Sequence, residues 1–272
     1  MLKYFSKIRT FSLVAAFALS LASISTSRAQ SSSSDAASSI KYGDTVTGEI
    51  TSDAANVSFQ FTGQAKDVVV IQFIPVANKD YSILATPIFT LQNSKGRKIA
   101  DTSKSSILVL GGGKGSVFAV SLPEDGDYTV GIARDSASKT NGSFTLHVDV
   151  APLLEKGKTV KGTFSSKAKG VVYGAVYAID STDNFGLAYV PNNGDYAPSM
   201  RIETVDDSGI IYTTAILAGD KILSSTLDVG GSKSLYLVAI GDIEQDLRSD
   251  ASEQKASYTL ALTAPSAASK SK

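Results

Sequence analysis

Two stretches of this chain carry matching residues in the same order, 114 positions apart. The closing match pairs Ser143-Phe144-Thr145-Leu146 with Ser257-Tyr258-Thr259-Leu260 at that offset. A fixed offset at both ends of a unit of roughly 110 residues is typical of a duplicated domain. We therefore predict two related modules, residues 40–150 and 153–264. The opening match pairs Gly43, Thr45, Val46, Gly48, Ser52, Ala54 and Val57 with Gly157, Thr159, Val160, Gly162, Ser166, Ala168 and Val171.

The modules have the residue pattern of half-buried β-strands. Val57, Phe59 and Phe61 alternate with polar residues, which places the apolar side chains on one face of a strand. Turn sequences such as Asn93-Ser94-Lys95-Gly96 separate runs of this kind, and no window after the N-terminal segment has a helical period. The predicted fold class is all-β, with two tandem antiparallel β-sandwich domains of jelly-roll-like type.

Two runs are apolar at every position and predict central strands. They are Val68-Val69-Val70-Ile71 and Leu235-Tyr236-Leu237-Val238-Ala239-Ile240, which we interpret as equivalents in the two copies. The junction Asp149-Val150-Ala151-Pro152-Leu153 is short. We therefore expect the modules to lie end to end with restricted freedom.

The N-terminus is typical of an export signal. Basic residues precede an apolar run from Phe11 to Ile24, and Ser27-Arg28-Ala29 follows as a cleavage sequence, so residues 1–29 are predicted to be removed. The apolar run is too short to span a bilayer, so no membrane span is expected after cleavage. Residues 30–39 predict a Ser-rich flexible leader and residues 265–272 a flexible tail. The protein is expected in the periplasm or outside the cell.

Charge and cysteine content exclude several classes of protein. The first 29 residues hold four bases and no acid, which leaves 22 Lys and Arg against 26 Asp and Glu in the mature chain. Nucleic-acid binding is not expected, because it depends on clustered bases that neutralise phosphates. The chain has no cysteine, so a disulfide scaffold and thiol chemistry are excluded.

The first copy contains five segments in a characteristic order: Gly43–Ile50, Val57–Phe61, Leu91–Gly96, Leu122–Val130 and Gly142–Val148. In these segments it resembles the bacterial pre-peptidase C-terminal domain family, whose members are secreted β-sandwiches appended to exported enzymes. The second copy keeps the opening and closing strands and lacks the Pro-x-x-Gly-x-Tyr turn. The resemblance implies a tandem pair of non-catalytic modules for export, targeting or polymer binding, in some members with calcium.

His147 is the only histidine and the first candidate for chemistry. It alternates with Leu146 and Val148 and stands beside Asp149, which predicts an exposed face of the closing strand. A base oriented by a carboxylate is one interpretation. We favour a solvated strand residue, because the chain has no Gly-x-Ser-x-Gly nucleophile motif. No catalytic residue is therefore assigned.

Two further sets of residues are candidate binding groups. Asn78, Asp80 and Tyr81 recur as Asn193, Asp195 and Tyr196, each set after a proline, and predict either recognition loops or shared structural turns. The second set, Asp242, Glu244, Asp246 and Asp250, offers carboxylate oxygens of the kind that calcium prefers. A solvated acidic loop is the alternative, since Leu247 stands where an EF-hand requires glycine. No other cofactor is expected.

These observations favour a non-catalytic secreted binding or assembly protein that recognises a protein or an extracellular polymer. A periplasmic chaperone-like protein, or a protein that inhibits or partners a protease, is the alternative. A hydrolase is the third hypothesis, with His147 as its base.

Overall fold

The computed structural model describes residues 37–76, 87–101, 108–110, 115–134, 140–165, 174–181, 184–191, 199–205, 211–217, 223–227, 234–241 and 255–264. Every helix or strand among them is a β-strand, and the strands form four sheets. The predicted all-β fold class is confirmed. In the described part of the chain, no helix has the length and apolar character needed to cross a membrane.

The first sandwich consists of sheets 1 and 2. Sheet 1 has the order β1-β3-β9-β5-β6, and sheet 2 has the order β2-β10-β4-β8-β7. All pairs are antiparallel except β1 with β3. The strands are β1 (Ser38–Ser39), β2 (Thr45–Ile50), β3 (Asn56–Gly63), β4 (Val68–Val76), β5 (Ile88–Asn93), β6 (Lys98–Asp101), β7 (Leu108–Leu110), β8 (Gly115–Ser121), β9 (Gly126–Ala133) and β10 (Gly142–Val150).

The second sandwich consists of sheets 3 and 4, whose pairs are all antiparallel. Sheet 3 has the order β12-β17-β14-β15, and sheet 4 has the order β11-β18-β13-β16. The strands are β11 (Thr159–Ser165), β12 (Ala175–Ser181), β13 (Phe185–Pro191), β14 (Ser199–Val205), β15 (Ile211–Leu217), β16 (Leu223–Leu227), β17 (Ser234–Gly241) and β18 (Lys255–Thr263).

Strand order shows that the two sandwiches share one topology. The order β2-β10-β4-β8 of sheet 2 recurs as β11-β18-β13-β16 in sheet 4, and β3-β9-β5-β6 of sheet 1 recurs as β12-β17-β14-β15 in sheet 3. Gly43 and Gly157, which precede the equivalent strands β2 and β11, both adopt a positive φ, of 83° and 78°. Glycine suits this conformation because it has no Cβ. The domain boundaries themselves stay a prediction.

Each core is built around a glycine beneath an aromatic ring. Gly48 pairs with Phe144, and a Cβ added at Gly48 would lie 2.3 Å from the phenylalanine Cζ. Gly162 pairs with Tyr258 in the same way, and its added Cβ would also lie 2.3 Å from the ring. In each pair the glycine, which has no Cβ, leaves room for the buried ring of the closing strand.

Three aromatic rings pack alike in both cores, as phenylalanines in the first and tyrosines in the second. Phe59 meets Phe144 edge to face at 6.2 Å, and Tyr177 meets Tyr258 edge to face at 6.5 Å. The third ring is Phe73 in the first core and Tyr189 in the second. The second core adds a hydroxyl pair, because the oxygens of Tyr177 and Tyr258 lie 2.9 Å apart.

The sandwiches stack face to face, so the expected end-to-end arrangement is wrong. Sheets 2 and 3 share a buried apolar cluster that is separate from the two cores, and we call it the inter-sandwich interface. Main-chain bonds fix the connection between the sandwiches: Ala151 N–H donates to Val68 O, and Leu154 N–H donates to Ala178 O. The interface consists of Val68, Val70, Val117, Ala119, Ala151, Ala178, Val205, Leu237 and Ala239, with Val176 and Leu235 at its border.

This interface explains the two fully apolar runs and corrects their pairing. Val68–Ile71 lies in β4, which is central in its sheet as predicted, but the equivalent of β4 is β13 and not β17. The run Leu235–Ile240 lies in β17, the equivalent of β9. Both runs are apolar on both faces because one face lines a core and the other lines the interface.

Candidate functional site

The predicted binding residues lie outside the described residues. These are Asn78, Asp80, Tyr81, Asn193, Asp195, Tyr196 and the carboxylates Asp242, Glu244, Asp246 and Asp250. Residues 78–81 stand in the sequence between β4 and β5, and residues 193–196 stand between the equivalent strands β13 and β14. Their roles stay predictions.

His147 lies at the margin of the inter-sandwich interface and is not on an exposed face, so the predicted solvent exposure is wrong. Its side chain is 12% exposed, because sheet 2 turns this face toward the second sandwich. Nδ1 is hydrogen-bonded to Thr45 Oγ1 at 3.0 Å. Burial lowers the pKa of His147, against weaker opposing effects of Asp149 and the Asp44 main chain. The imidazole is therefore neutral at pH 7.

The arrangement of His147 and Asp149 differs from a catalytic relay. Asp149 Oδ2 lies 3.9 Å from His147 Nε2, beyond hydrogen-bond distance, and the Asp149 side chain is 53% exposed. Asp149 Oδ1 instead accepts the N–H of Val150 at 2.8 Å. No local pattern points to Thr45, because 102 positions separate it from His147 and the two residues meet through the β2–β10 pairing.

A cavity of about 290 Å³ opens beside His147 where the two sandwiches meet. It lies between sheet 2, the connecting segment and the start of β12, and its polar groups are Gln72, His147 and Asp149. The remaining lining is small or apolar: Gly43, Val70, Val150, Ala151, Gly174, Ala175 and Val176. The cavity is an incompletely filled end of the interface.

A larger groove of about 620 Å³ follows the edge of sheet 1. It has a mixed polar lining: Thr62 Oγ1 donates to Asp127 Oδ1 at 2.7 Å, and Lys41 supplies a positive charge. Such a combination of donors, acceptors and one aromatic ring suits polar ligands. The lining residues are Ser39, Ile40, Lys41, Tyr42, Gln60, Phe61, Thr62 and Asp127.

Tyr42 and the two-residue strand β1 give this groove its shape. Ile40 N–H donates to Gln60 O at 2.9 Å where β1 ends, and the chain then crosses toward sheet 2. Tyr42 packs on Phe61 and its hydroxyl donates to Asp67 Oδ2 at 3.1 Å. Burial, followed by the Asp67 charge, raises the pKa of Tyr42, so it remains a neutral donor. Its ring is thus a fixed wall of the groove.

The turns that carry the family resemblance are joined by Glu124. Its carboxylate accepts the Asn93 side-chain amide at 2.6 Å and pairs with Lys95 at 3.2 Å. The pKa of Glu124 is lowered, first by the Lys95 hydrogen bond and then by Asn93. Tyr128 donates its hydroxyl to the Glu124 carbonyl, which fixes the Pro-x-x-Gly-x-Tyr turn. Among the described residues no group of three or more His, Cys, Asp or Glu could hold a metal ion.

No protein-family model and no curated protein matches this chain. The chain is similar to the pre-peptidase C-terminal domain of a collagenase from Bacillus anthracis, with 13% identity and a TM-score of 0.32. That match covers 44% of this chain and all of the collagenase domain.

Two other solved structures are similar over most of the chain. A candidate secreted protein from Eubacterium rectale has 12% identity and a TM-score of 0.30, over 88% of this chain and 86% of that one. A triple jelly-roll structure from the turret of an archaeal virus has 15% identity and a TM-score of 0.26, over 81% of this chain and 58% of that one. Identities and TM-scores this low assign no function to this chain. Membership of the tandem pair in the pre-peptidase family stays a prediction.

Proposed function

We propose that the mature chain is an exported, non-catalytic binding protein that recognises a protein or an extracellular polymer. The observation that carries the proposal is the state of His147. This histidine is largely buried, is bonded to Thr45 and lies too far from Asp149 for a hydrogen bond, so it acts in packing. General-base catalysis instead needs a base within reach of its substrate and oriented by its partner.

The edge groove of sheet 1 is the surface that we assign to the ligand. Its side chains offer both signs of charge, amide and hydroxyl groups, and the fixed ring of Tyr42. Tyrosine rings combine contact area with a low entropic cost of binding, and they favour recognition surfaces for this reason. A groove of about 620 Å³ accommodates a short segment of a polymer or a peptide.

The test is retention of a ligand by residues 30–272 immobilised on a support. Envelope and culture-medium fractions are passed over the wild type and over the variant Lys41→Ala/Gln60→Ala, whose side chains line the groove. The matched control is Lys161→Ala/Thr259→Ala, which changes a lysine and a neighbouring polar residue on the second sandwich. The proposal requires a ligand that the wild type and the control retain and the groove variant loses.

A hydrolase is distinguished by turnover. The proposal is contradicted if the wild type hydrolyses peptide, ester or glycoside substrates and if His147→Ala and Thr45→Ala both abolish that activity. Loss in both variants is required, because Thr45 is the hydroxyl bonded to the imidazole.

A further inference from the structure

The inter-sandwich interface joins two sheets that are not equivalent. Sheet 2 is equivalent to sheet 4 in strand order, and sheet 3 is equivalent to sheet 1. The interface therefore joins one sheet of each kind. The four layers therefore follow one another head to tail, with sheet 1 at one end and sheet 4 at the other. A head-to-tail contact does not close on itself, so nothing in this geometry stops a further sandwich from adding.

The residues at equivalent positions of sheets 1 and 3 differ in a consistent way. Leu237 and Ala178 are fully buried in the interface, whereas the equivalent positions of sheet 1 hold Thr129 and Gln60. The strand registers that set these equivalences pair Tyr177 with Val238 and Phe59 with Val130. The apolar residues thus occur on the face that is covered, and polar residues occur on the face at the end of the stack.

Sheets 2 and 4 differ in the same direction. Val68 and Val70 are buried in the interface, and the equivalent positions at sheet 4 hold the exposed Asn184 and Gly186, which has no side chain. Lys161 adds an exposed charge to sheet 4, at the position equivalent to the exposed Thr47 of sheet 2. Terminal units with polar outer faces end the stack in repeat proteins.

Charged residues show the opposite distribution, because the interface buries an ion pair. Arg201 Nε lies 3.2 Å from Glu203 Oε1, and the side chains are 10% and 0% exposed on the face of sheet 3 that meets sheet 2. The equivalent positions of sheet 1 hold Thr90 and Gln92, which are uncharged and half-buried. A buried ion pair contributes little net stability.

We propose that the two sandwiches recognise each other through this interface, and that the polar faces of sheets 1 and 4 are caps that limit the stack to two sandwiches. The docking partner of a sheet-3 face is the sheet-2 face of another sandwich of this fold. A second copy of the chain does not dock, because the faces that it leaves uncovered are the polar outer faces of sheets 1 and 4. This inference does not depend on the proposed ligand.

The first experiment removes the interface from the full mature chain. The variant Ala178→Gln/Leu237→Thr carries the residues of sheet 1 in sheet 3, and Leu237→Ala is a milder second variant. Small-angle scattering measures the separation of the sandwiches, and acylation by diethyl pyrocarbonate measures access to the single histidine. The acylation rate of His147 rises about tenfold or more, since losing a buried leucine side chain shifts an equilibrium by at least that factor. Unchanged scattering and acylation in variants that retain their β circular dichroism would overturn the docking role.

The second experiment removes one cap at a time. Gln60→Ala/Thr129→Leu gives sheet 1 the residues of sheet 3, and Lys161→Thr/Asn184→Val gives sheet 4 the residues of sheet 2. In sedimentation velocity the wild type and each variant alone are monomers, because each retains at least one cap. An equimolar mixture of the two variants forms a dimer. A wild type that self-associates, a single variant that aggregates by itself, or a mixture that stays monomeric would each contradict the caps.

Discussion

Replacing Gly48 by alanine tests whether a glycine under an aromatic ring is a packing requirement. The added Cβ would lie 2.3 Å from Phe144 Cζ, so the fully buried ring must move. Overpacking of this kind costs about 1–3 kcal/mol. The lower entropy of the unfolded chain returns about 0.4–1 kcal/mol. We expect a net loss of about 1–2 kcal/mol in the free energy of unfolding.

The assay is urea denaturation followed by circular dichroism. With a slope of about 1–3 kcal/mol/M, the loss lowers the midpoint of the affected transition by about 0.3–2 M. Gly162→Ala beneath Tyr258 is the matched experiment in the second sandwich. The double variant Gly48→Ala/Phe144→Leu recovers part of the loss, because the smaller side chain vacates the clash. A Gly48→Ala protein as stable as the wild type would refute the reasoning.

Three further perturbations follow from the buried polar groups. Tyr177→Phe costs about 1–3 kcal/mol because it leaves the Tyr258 hydroxyl buried without its partner, and adding Tyr258→Phe restores most of the loss in thermal unfolding. Tyr128→Phe removes the bond to the Glu124 carbonyl and costs about 0.5–1.5 kcal/mol in the same assay. Burial lowers the pKa of His147 in the folded state, so the free energy of unfolding falls as the pH drops below about 6.5 and becomes constant below the folded-state pKa. In urea denaturation measured at a series of pH values, His147→Gln removes this pH-dependent component.

Each of these predictions has a result that contradicts it. If the Tyr177→Phe/Tyr258→Phe protein is less stable in thermal unfolding than both single variants, the two hydroxyls do not act as a pair. An unchanged midpoint for Tyr128→Phe would remove the turn bond from the account. If His147→Gln keeps the acid dependence of the wild type between pH 7 and pH 5, other groups cause it.

The ends of the repeat could be predicted from sequence, and its middle could not. Strands β2 and β10 keep the constant offset because Gly48 and Phe144 must meet in each copy. Between them the offset drifts: Phe59 and Tyr177 are equivalent at a separation of 118 positions, because the intervening turns differ in length. A single fixed offset therefore does not align these strands.

Burial on both faces was predicted, but its cause was not. The apolar run at Val68 indicates a strand covered on two sides, and the second cover is the other sandwich. No local pattern specifies that partner, since docking depends on residues from β12, β14 and β17 at once. The same reason accounts for His147, whose alternation with Leu146 gave the correct face and the wrong environment.

The aromatic trios give the duplication a built-in optical marker. The chain contains no tryptophan, so tyrosines dominate its near-ultraviolet dichroism and intrinsic emission. The first core contributes phenylalanines at positions where the second contributes Tyr177, Tyr189 and Tyr258. The tyrosine signal of the chain is thus weighted toward the second core, and Tyr42 and Tyr128 of the first sandwich contribute the remainder among these packed rings.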